Sequence, residues 1–326
     1  MKTTIYWSLG GLASASLILA GCASTAPGGA GPSSNTVYSQ DAGTAAEALE
    51  DGTTLMAYDS SMTSAARNMD NASGDSVWTD VDHPNVAITR NGTGAVDVTI
   101  DGRTMSFTAA DLEEEGFGWE REDADGYGGV FTWTANSAAE ALNGEGAGDY
   151  YQVWSYFWDN PDGETLNGYA VVGTEATSDA VAARSATATY SGRSVTDTYL
   201  AGTDNFDRTR IQGNVELEAN FDDGAISGTL SDIVTRAQVD GTWSPNVNHA
   251  GTVAFDSAPI AANGYQGTLT PDAAFVDELM LSDFKGTYGG KFFGPNAEET
   301  AGAIAVTGTS DGDGFVGGGF FRANED

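Results

Sequence analysis

Few residues in this chain could do chemistry. Its two histidines, His83 and His249, fall in different predicted domains. Pro84 pushes His83 into extended backbone within a loop. An imidazole on an exposed loop could ligate haem iron, but a solvated loop histidine is the simpler reading. His249 lies in a polar loop and carries less weight still. Asp123-Ala-Asp125-Gly126 and Asp311-Gly-Asp313-Gly314 could offer carboxylate oxygens to Ca²⁺. Neither supplies the later acid and closing Glu of an EF-hand, and Asp-Gly pairs form turns. A carboxylate pair for glycoside hydrolysis is open to so acidic a chain, yet no two acids stand out. Nothing matches a Ser/His/Asp signature, a nucleophile elbow, HExxH or a phosphate loop. The expectation is therefore a protein that is not an enzyme and needs no cofactor or metal. Two features remain. Cys22 is the sole cysteine, and a leftover cysteine in a secreted chain needs a reason. The tract Tyr150-Tyr-Gln-Val-Trp-Ser-Tyr-Phe-Trp158 is the most aromatic in the chain. As a strand it sets Tyr150, Gln152, Trp154, Tyr156 and Trp158 on one face and Tyr151, Val153, Ser155 and Phe157 on the other. Binding hot spots are rich in Trp and Tyr, so Tyr150, Trp154, Tyr156 and Trp158 are the candidate ligand-binding residues, at or under a site. The competing reading is that the rings fill the core on at least one face. The flanks Gly144–Gly148 and Asn160–Gly163 are turn-rich and suit surrounding loops.

The elements that must position these residues begin with a leader. Lys2 precedes an apolar run from Leu9 to Ala20, too short for a comfortable membrane span. Leu19-Ala20-Gly21-Cys22 then resembles the bacterial lipobox. That resemblance implies cleavage before Cys22, acylation of its thiol and amine, and attachment to a membrane through lipid. Ala23 and Ser24 follow, with no Asp that would resemble an inner-membrane retention signal, so the outer membrane is the expected address. The leader spans residues 1–21. A Ser/Pro/Gly/Ala tether covers 22–45.

Charge narrows the partners. With 13 Lys and Arg against 47 Asp and Glu, the formal net charge is -34. Nucleic acid is excluded, because its phosphates would be repelled. Abundant Gly with frequent Thr, Val, Tyr, Phe and Trp favours β-structure with many turns. The N-terminal domain, 46–183, opens with a predicted helix over Tyr58–Met69, where Met62, Ala65, Ala66 and Met69 recur at helical spacing. Strands follow, among them Val96, Val98 and Ile100, which Asp101-Gly102 turns back as a hairpin. Ser137-Ala-Ala-Glu140 is a capping box for a short helix ended by Gly144. From 184 to 326 alternation dominates. Val215, Leu217, Ala219 and Phe221 alternate with Glu216, Glu218 and Asn220, and Asp222-Asp223-Gly224 turns the chain. About eight strands are expected, enough to close a small barrel filled by its own side chains.

One stretch carries a family resemblance. Gly286-Thr-Tyr-Gly-Gly-Lys-Phe-Phe-Gly-Pro-Asn-Ala-Glu-Glu-Thr-Ala-Gly302 reads as strand, turn, one helical turn and strand. It resembles the last barrel strands of the transferrin-binding protein B family of surface lipoproteins, with Phe315-Val-Gly-Gly-Gly-Phe-Phe-Arg322 as the strand that closes on Ala186–Tyr190. The resemblance covers roughly the C-terminal half well. It implies a mainly β protein: an N-terminal handle-like, β-rich α+β domain followed by an eight-stranded antiparallel β-barrel. It further implies a surface-exposed outer-membrane lipoprotein that binds a solute or host protein. An iron source such as haem, haemoglobin or a transferrin-like carrier would be taken up with an outer-membrane transporter. This chain has one handle-plus-barrel unit where the full transferrin receptor has two lobes. A structural or adhesive surface lipoprotein without a transport role is the alternative.

Overall fold

The computed structural model describes residues 54–57, 63–70, 76–91, 95–112, 118–123, 126–132, 150–159, 164–203 and 207–326. Cys22, the leader, the tether, the capping box at Ser137–Glu140 and the flanks at Gly144–Gly148 and Asn160–Gly163 lie outside them. Two antiparallel sheets come first. The smaller has the order β1 (Thr54–Ala57), β4 (Val86–Asn91), β5 (Ala95–Ile100), β6 (Arg103–Phe107). The larger runs β3 (Ser76–Asp82), β2 (Thr63–Asp70), β10 (Glu164–Gly173), β9 (Tyr151–Asp159), β8 (Gly126–Thr132), β7 (Gly118–Asp123). Asp101 and Gly102 take positive φ, 49° and 83°, and join β5 to β6 by the expected two-residue turn.

Of the helix expected over Tyr58–Met69, residues 58–62 lie outside the described residues and the rest is not helical but forms the strand β2. Helical spacing was the wrong period here, because the residues answer to their partners across the sheet. Ala65 and Ala66 pair with Gly168 and Asn167 of β10 on one side and with Asp82 and Val81 of β3 on the other. Thr63, Ser64, Ala65 and Ala66 are all fully buried. These small side chains let β2 lie close to the barrel wall. Ser64 Oγ donates to the Gly319 carbonyl at 2.8 Å, and a Cβ on Gly318 would come within 3.0 Å of Ser64 Oγ. A helix of larger diameter could not approach a strand backbone so closely.

The second half is a closed antiparallel barrel. Its strands are β11 (Thr187–Leu200), β12 (Arg208–Asn220), β13 (Ala225–Val239), β16 (Val253–Ala261), β17 (Gly264–Pro271), β18 (Leu281–Phe293), β19 (Glu299–Ser310) and β20 (Asp313–Glu325). Two short strands, β14 (Thr242–Trp243) and β15 (Val247–Asn248), extend the pairing of β13. Each barrel strand pairs with its sequence neighbours, and β20 pairs with β11 to close the ring. The closing pair is the expected one, but β11 is longer than expected. Phe315–Phe321 therefore lie opposite Leu200–Ser194, and Tyr190 lies opposite Glu325. Val215, Leu217 and Ala219 point inward and Glu216 and Glu218 outward, as their alternation requires. Rings cover bare backbone inside: Tyr288 lies over Gly267 and Phe321 over Gly290.

The outer wall of the barrel shares one core with the two sheets. Val195, Phe293, Ala301 and Phe320 face Tyr151, Tyr169 and their neighbours. Tyr169 and Phe320 lie 5.2 Å apart, Tyr151 and Phe293 5.7 Å. The segment between β10 and β11 carries a short helix, α1 (Ser178–Ala183), capped by Thr177. The Gly286–Gly302 stretch holds this joint. Ala176 N donates to Phe292 O at 2.8 Å, Gly294 N to Thr174 O at 2.9 Å, and Tyr150 N to the buried Glu299 carboxylate at 2.9 Å. Lys291 pairs with Glu175 at 2.9 Å. The helical turn expected after Pro295 is a plain turn closed by Ala297 N on Gly294 O. Glu298 instead receives Asn296 N at 2.7 Å. Ala297 takes φ 57°, which ends any helix before it starts.

Candidate functional site

The barrel bore is filled over only half its length. At the end nearest the joint, Tyr190, Tyr265, Phe292 and Phe321 pack with ring centroids 5.4 to 6.3 Å apart. Phe255 forms the top of this stack, edge-on to Tyr288 at 4.9 Å and to Phe321 at 5.4 Å. Above Phe255 the inward positions carry mostly aliphatic side chains and threonines, with Phe284 and Phe315 among them. There a cavity of about 550 Å³ opens. The expectation of a bore filled by its own side chains therefore holds for one half and fails for the other.

Two irregularities shape the cavity. The pairing of β13 with β12 shifts between Asn214 and Gln212, where Asp232 takes φ 48°. This extra residue turns Thr235, Ala237 and Val239 inward in succession to Leu230. On β18 the register shifts between Ser282 and Lys285, where Asp283 takes φ 52°. Leu281 and Phe284 thereby both reach the cavity. Asp tolerates the left-handed conformation better than most residues. A second short helix, α2 (Ala273–Glu278), hangs over one side and contributes Phe275. Asp272 caps it by accepting Phe275 N at 2.9 Å. Gly251, at φ 89°, leaves room for this cap, since a Cβ there would stand 2.4 Å from Asp272 Oδ1. His249, in the neighbouring loop, lies edge-on to Phe275 of this helix at 6.4 Å. Its Nε2 lies 2.6 Å from Thr235 Oγ1 and its Nδ1 3.2 Å from Glu278 Oε1.

The walls are apolar: Ile211, Leu230, Val253, Leu269, Ile304 and Val306 among them. The threonine and serine hydroxyls near them are partly spent on the protein itself. Thr198 donates to Thr209 O at 3.1 Å, and Ser310 to Leu279 O at 2.7 Å. As a sealed void this volume would cost about 13 kcal/mol at roughly 24 cal/mol per Å³, as much as the whole stability of a typical domain. It is not sealed. It reaches solvent among the β11–β12, β13–β14 and β19–β20 hairpins, where Leu200 and Val239 are 40% and 52% exposed. Met280, just past α2, is 57% exposed.

Beside the mouth, on the outer side of the barrel, sits a charged cluster. Asp197 is buried and accepts from Arg210 Nε and Nη2 at 2.7 and 2.8 Å and from the Tyr169 hydroxyl at 2.9 Å. Arg208 approaches the same carboxylate at 3.3 Å. Burial alone would raise the Asp197 carboxyl, but Arg210, Arg208 and the Tyr169 hydroxyl hold it below the usual carboxylate range. Burial and the Asp197 charge push the Tyr169 hydroxyl far up, so it stays protonated and donates. Trp243 lies under Arg208, Arg210 and Arg236 at 5.3, 4.9 and 4.4 Å. Among the described residues Arg208 is the only basic one lining the cavity, against Asp207 and Asp313. The sequence reading missed this cluster. Its signal was Arg208-Thr-Arg210, two cations that a strand must place on one face.

The aromatic tract is where it was expected in sequence and forms β9, but its faces are disposed otherwise. Trp154, Tyr156 and Trp158 are 2%, 2% and 5% exposed and belong to the core between the sheets; Tyr150 packs against that core from its edge. Trp154 stacks on Trp119 at 6.1 Å, and Gly128, opposite Trp158, sits against Met105. On the opposite face Tyr151 and Val153 are buried as well, while Phe157 is half-buried with Phe131 and the exposed Tyr127. His83 is exposed and its Nδ1 lies 3.0 Å from Thr63 O. Asp311 and Gly312 form a two-residue turn with positive φ at both positions. Among the described residues no group of three or more His, Cys, Asp or Glu is arranged to hold a metal ion.

Comparison with known proteins bears on the barrel. No curated protein matches the chain. Among solved structures, transferrin-binding protein B of serogroup B Neisseria meningitidis is 18% identical, with 81% of this chain and 43% of that chain covered and a TM-score of 0.39. A double mutant of transferrin-binding protein B from Haemophilus parasuis Hp5 is 18% identical over 81% of this chain and 45% of that one, with a TM-score of 0.41. The haemoglobin receptor HpuA of Kingella denitrificans is 13% identical over 85% and 87%, with a TM-score of 0.38. The chain spans less than half the length of the transferrin-binding protein B chains it matches. Residues 183–324 match the family described as the C-lobe and N-lobe beta barrels of Tf-binding protein B. The match coincides with the closed eight-stranded ring and contains the Gly286–Gly302 stretch, so the second half of the chain is similar to the transferrin-binding protein B barrels.

Proposed function

We propose that this protein is a lipid-anchored surface binding protein of the outer membrane that captures an iron source, either haem or a carrier such as haemoglobin or transferrin, for an outer-membrane transporter. The observation that carries the reading is the family match over the complete barrel, residues 183–324. The lipobox-like Leu19-Ala20-Gly21-Cys22 supports the anchor. The shared core supports a rigid unit in which barrel and sheets present one surface. In this reading the tract Tyr150, Trp154, Tyr156 and Trp158 supports the partner-facing surface from beneath rather than touching the partner. The test is direct capture. Mature protein immobilised through its N-terminus should bind transferrin, haemoglobin or haem saturably, with tryptophan fluorescence reporting the haem titration. Absence of binding to all three at micromolar concentration would leave a structural or adhesive lipoprotein as the better account.

A further inference from the structure

The iron-source reading makes no use of the half-open bore. We infer that this cavity is a binding site for an uncharged lipophile, a molecule with an alkyl-like body and a neutral polar end. Three independent features point to it. A volume of about 550 Å³ lies in the range of small-molecule sites, and such sites are mostly apolar with a few polar groups. The protein has also built the space rather than left it. Two bulges, each with an Asp in the left-handed conformation, turn Thr235, Ala237, Val239, Leu281 and Phe284 into the bore, although the same ring closes solidly on tyrosines and phenylalanines further down. Finally, large apolar side chains stand in solvent at the same end. Leu200 and Val239 line the opening and Met280 follows Leu279, which lines it too. An apolar rim around an apolar bore suits entry of a molecule that leaves water as it passes.

Charge sets the class. Asp207 and Asp313 line the cavity, and the Arg208 guanidinium beside them is committed to Asp197 and to Gln238, whose Oε1 accepts its Nε at 2.9 Å. Among the described lining residues a carboxylate end group would meet two acids and no cation outside an ion pair, in a chain of net charge -34. A hydroxyl, ester or amide end group meets no such penalty and finds the threonine hydroxyls near the walls.

The experiment uses the full mature chain and the neutral dye phenylnaphthylamine, displaced by dodecanol or by dodecanoate at neutral pH. Saturable one-to-one uptake of the dye is expected, with dodecanol displacing it at roughly tenfold lower concentration than dodecanoate. That gap should narrow in high salt as screening weakens the acids. Ala237→Trp fills the cavity and should reduce dye affinity at least about tenfold at unchanged Tm, the loss expected when bulk replaces a ligand's apolar contacts. Val239→Glu, at an exposed position on the rim, should do the same and carries the test if Ala237→Trp does not fold. Leu112→Glu, an exposed apolar residue on the N-terminal sheets, should change nothing. Non-saturable uptake, or a folded cavity variant that binds as wild type does, would overturn the site. Dodecanoate binding as tightly as dodecanol would overturn the class of ligand. Capture of haem or carrier protein is read separately, so failure here leaves the iron-source reading intact.

Discussion

Two residue-level expectations follow from burial. Asp197 is a carboxylate that two arginines and a tyrosine hydroxyl share at the barrel wall. Asp197→Asn leaves Arg210 buried without its counter-charge and should destabilise the protein by about 3–5 kcal/mol at neutral pH. The pH dependence has a fixed sign. The folded-state pKa of Asp197 lies below its ordinary value of 3.8. Its extra stability is therefore present above that pH and lost as pH falls through the folded pKa. Urea melts should show the wild-type advantage over Asp197→Asn shrinking below about pH 4, the unfolded-state range. A constant difference across that range would exclude an ionic origin. The second expectation concerns the aromatic strand. Trp154→Ala empties a fully buried site and should cost about 3–5 kcal/mol. Phe157→Ala, on the half-exposed outer face, should cost less than half as much. Calorimetry on the two variants decides between the assignments. The alternation along β9 was legible in its residues, but which face met a second sheet was not.

At the level of elements, closure is the property to test. β20 carries the longest run of buried positions in the barrel together with β19, and it pairs on both sides. Removing Gly314–Asp326 exposes the edges of β11 and β19 at once. Such edges template aggregation. The truncated protein should be insoluble or lose its cooperative melt, and a soluble truncation with a sharp transition would contradict the closed ring. Strand-level features were largely readable. Asp101-Gly102 and Asp311-Gly312 make the turns their side chains and backbone freedom favour, and the inward alternation of β12 is in its sequence. The helix misread over Tyr58–Met69 marks the limit. Small residues such as Ala65 and Ala66 have weak local preferences, so pairing with β10 and β3 and close packing on Gly318 decide their conformation.

For the whole molecule, the anchor proposed at Cys22 gives the clearest experiment. Cys22→Ser should move the protein from the membrane fraction to the soluble fraction without changing its Tm, because the described fold begins well beyond the tether. Unchanged partitioning would refute lipidation at this site. By itself the sequence determined the β class, about eight strands in the second half and the positions of the tight turns. These rest on short-range chemistry, a two-residue side-chain period and the backbone tolerance of Asp and Gly, while the closing pair of strands followed from the family resemblance of the Gly286–Gly302 stretch. Only the tertiary structure decided which rings of the aromatic strand are buried, that β2 is a strand, that Asp197 sits between two arginines, and that half the bore is open. Each of those depends on which distant strand lies opposite and at what register. A single bulge such as that at Asp232 re-aims every side chain after it, and no local pattern in the sequence records that shift.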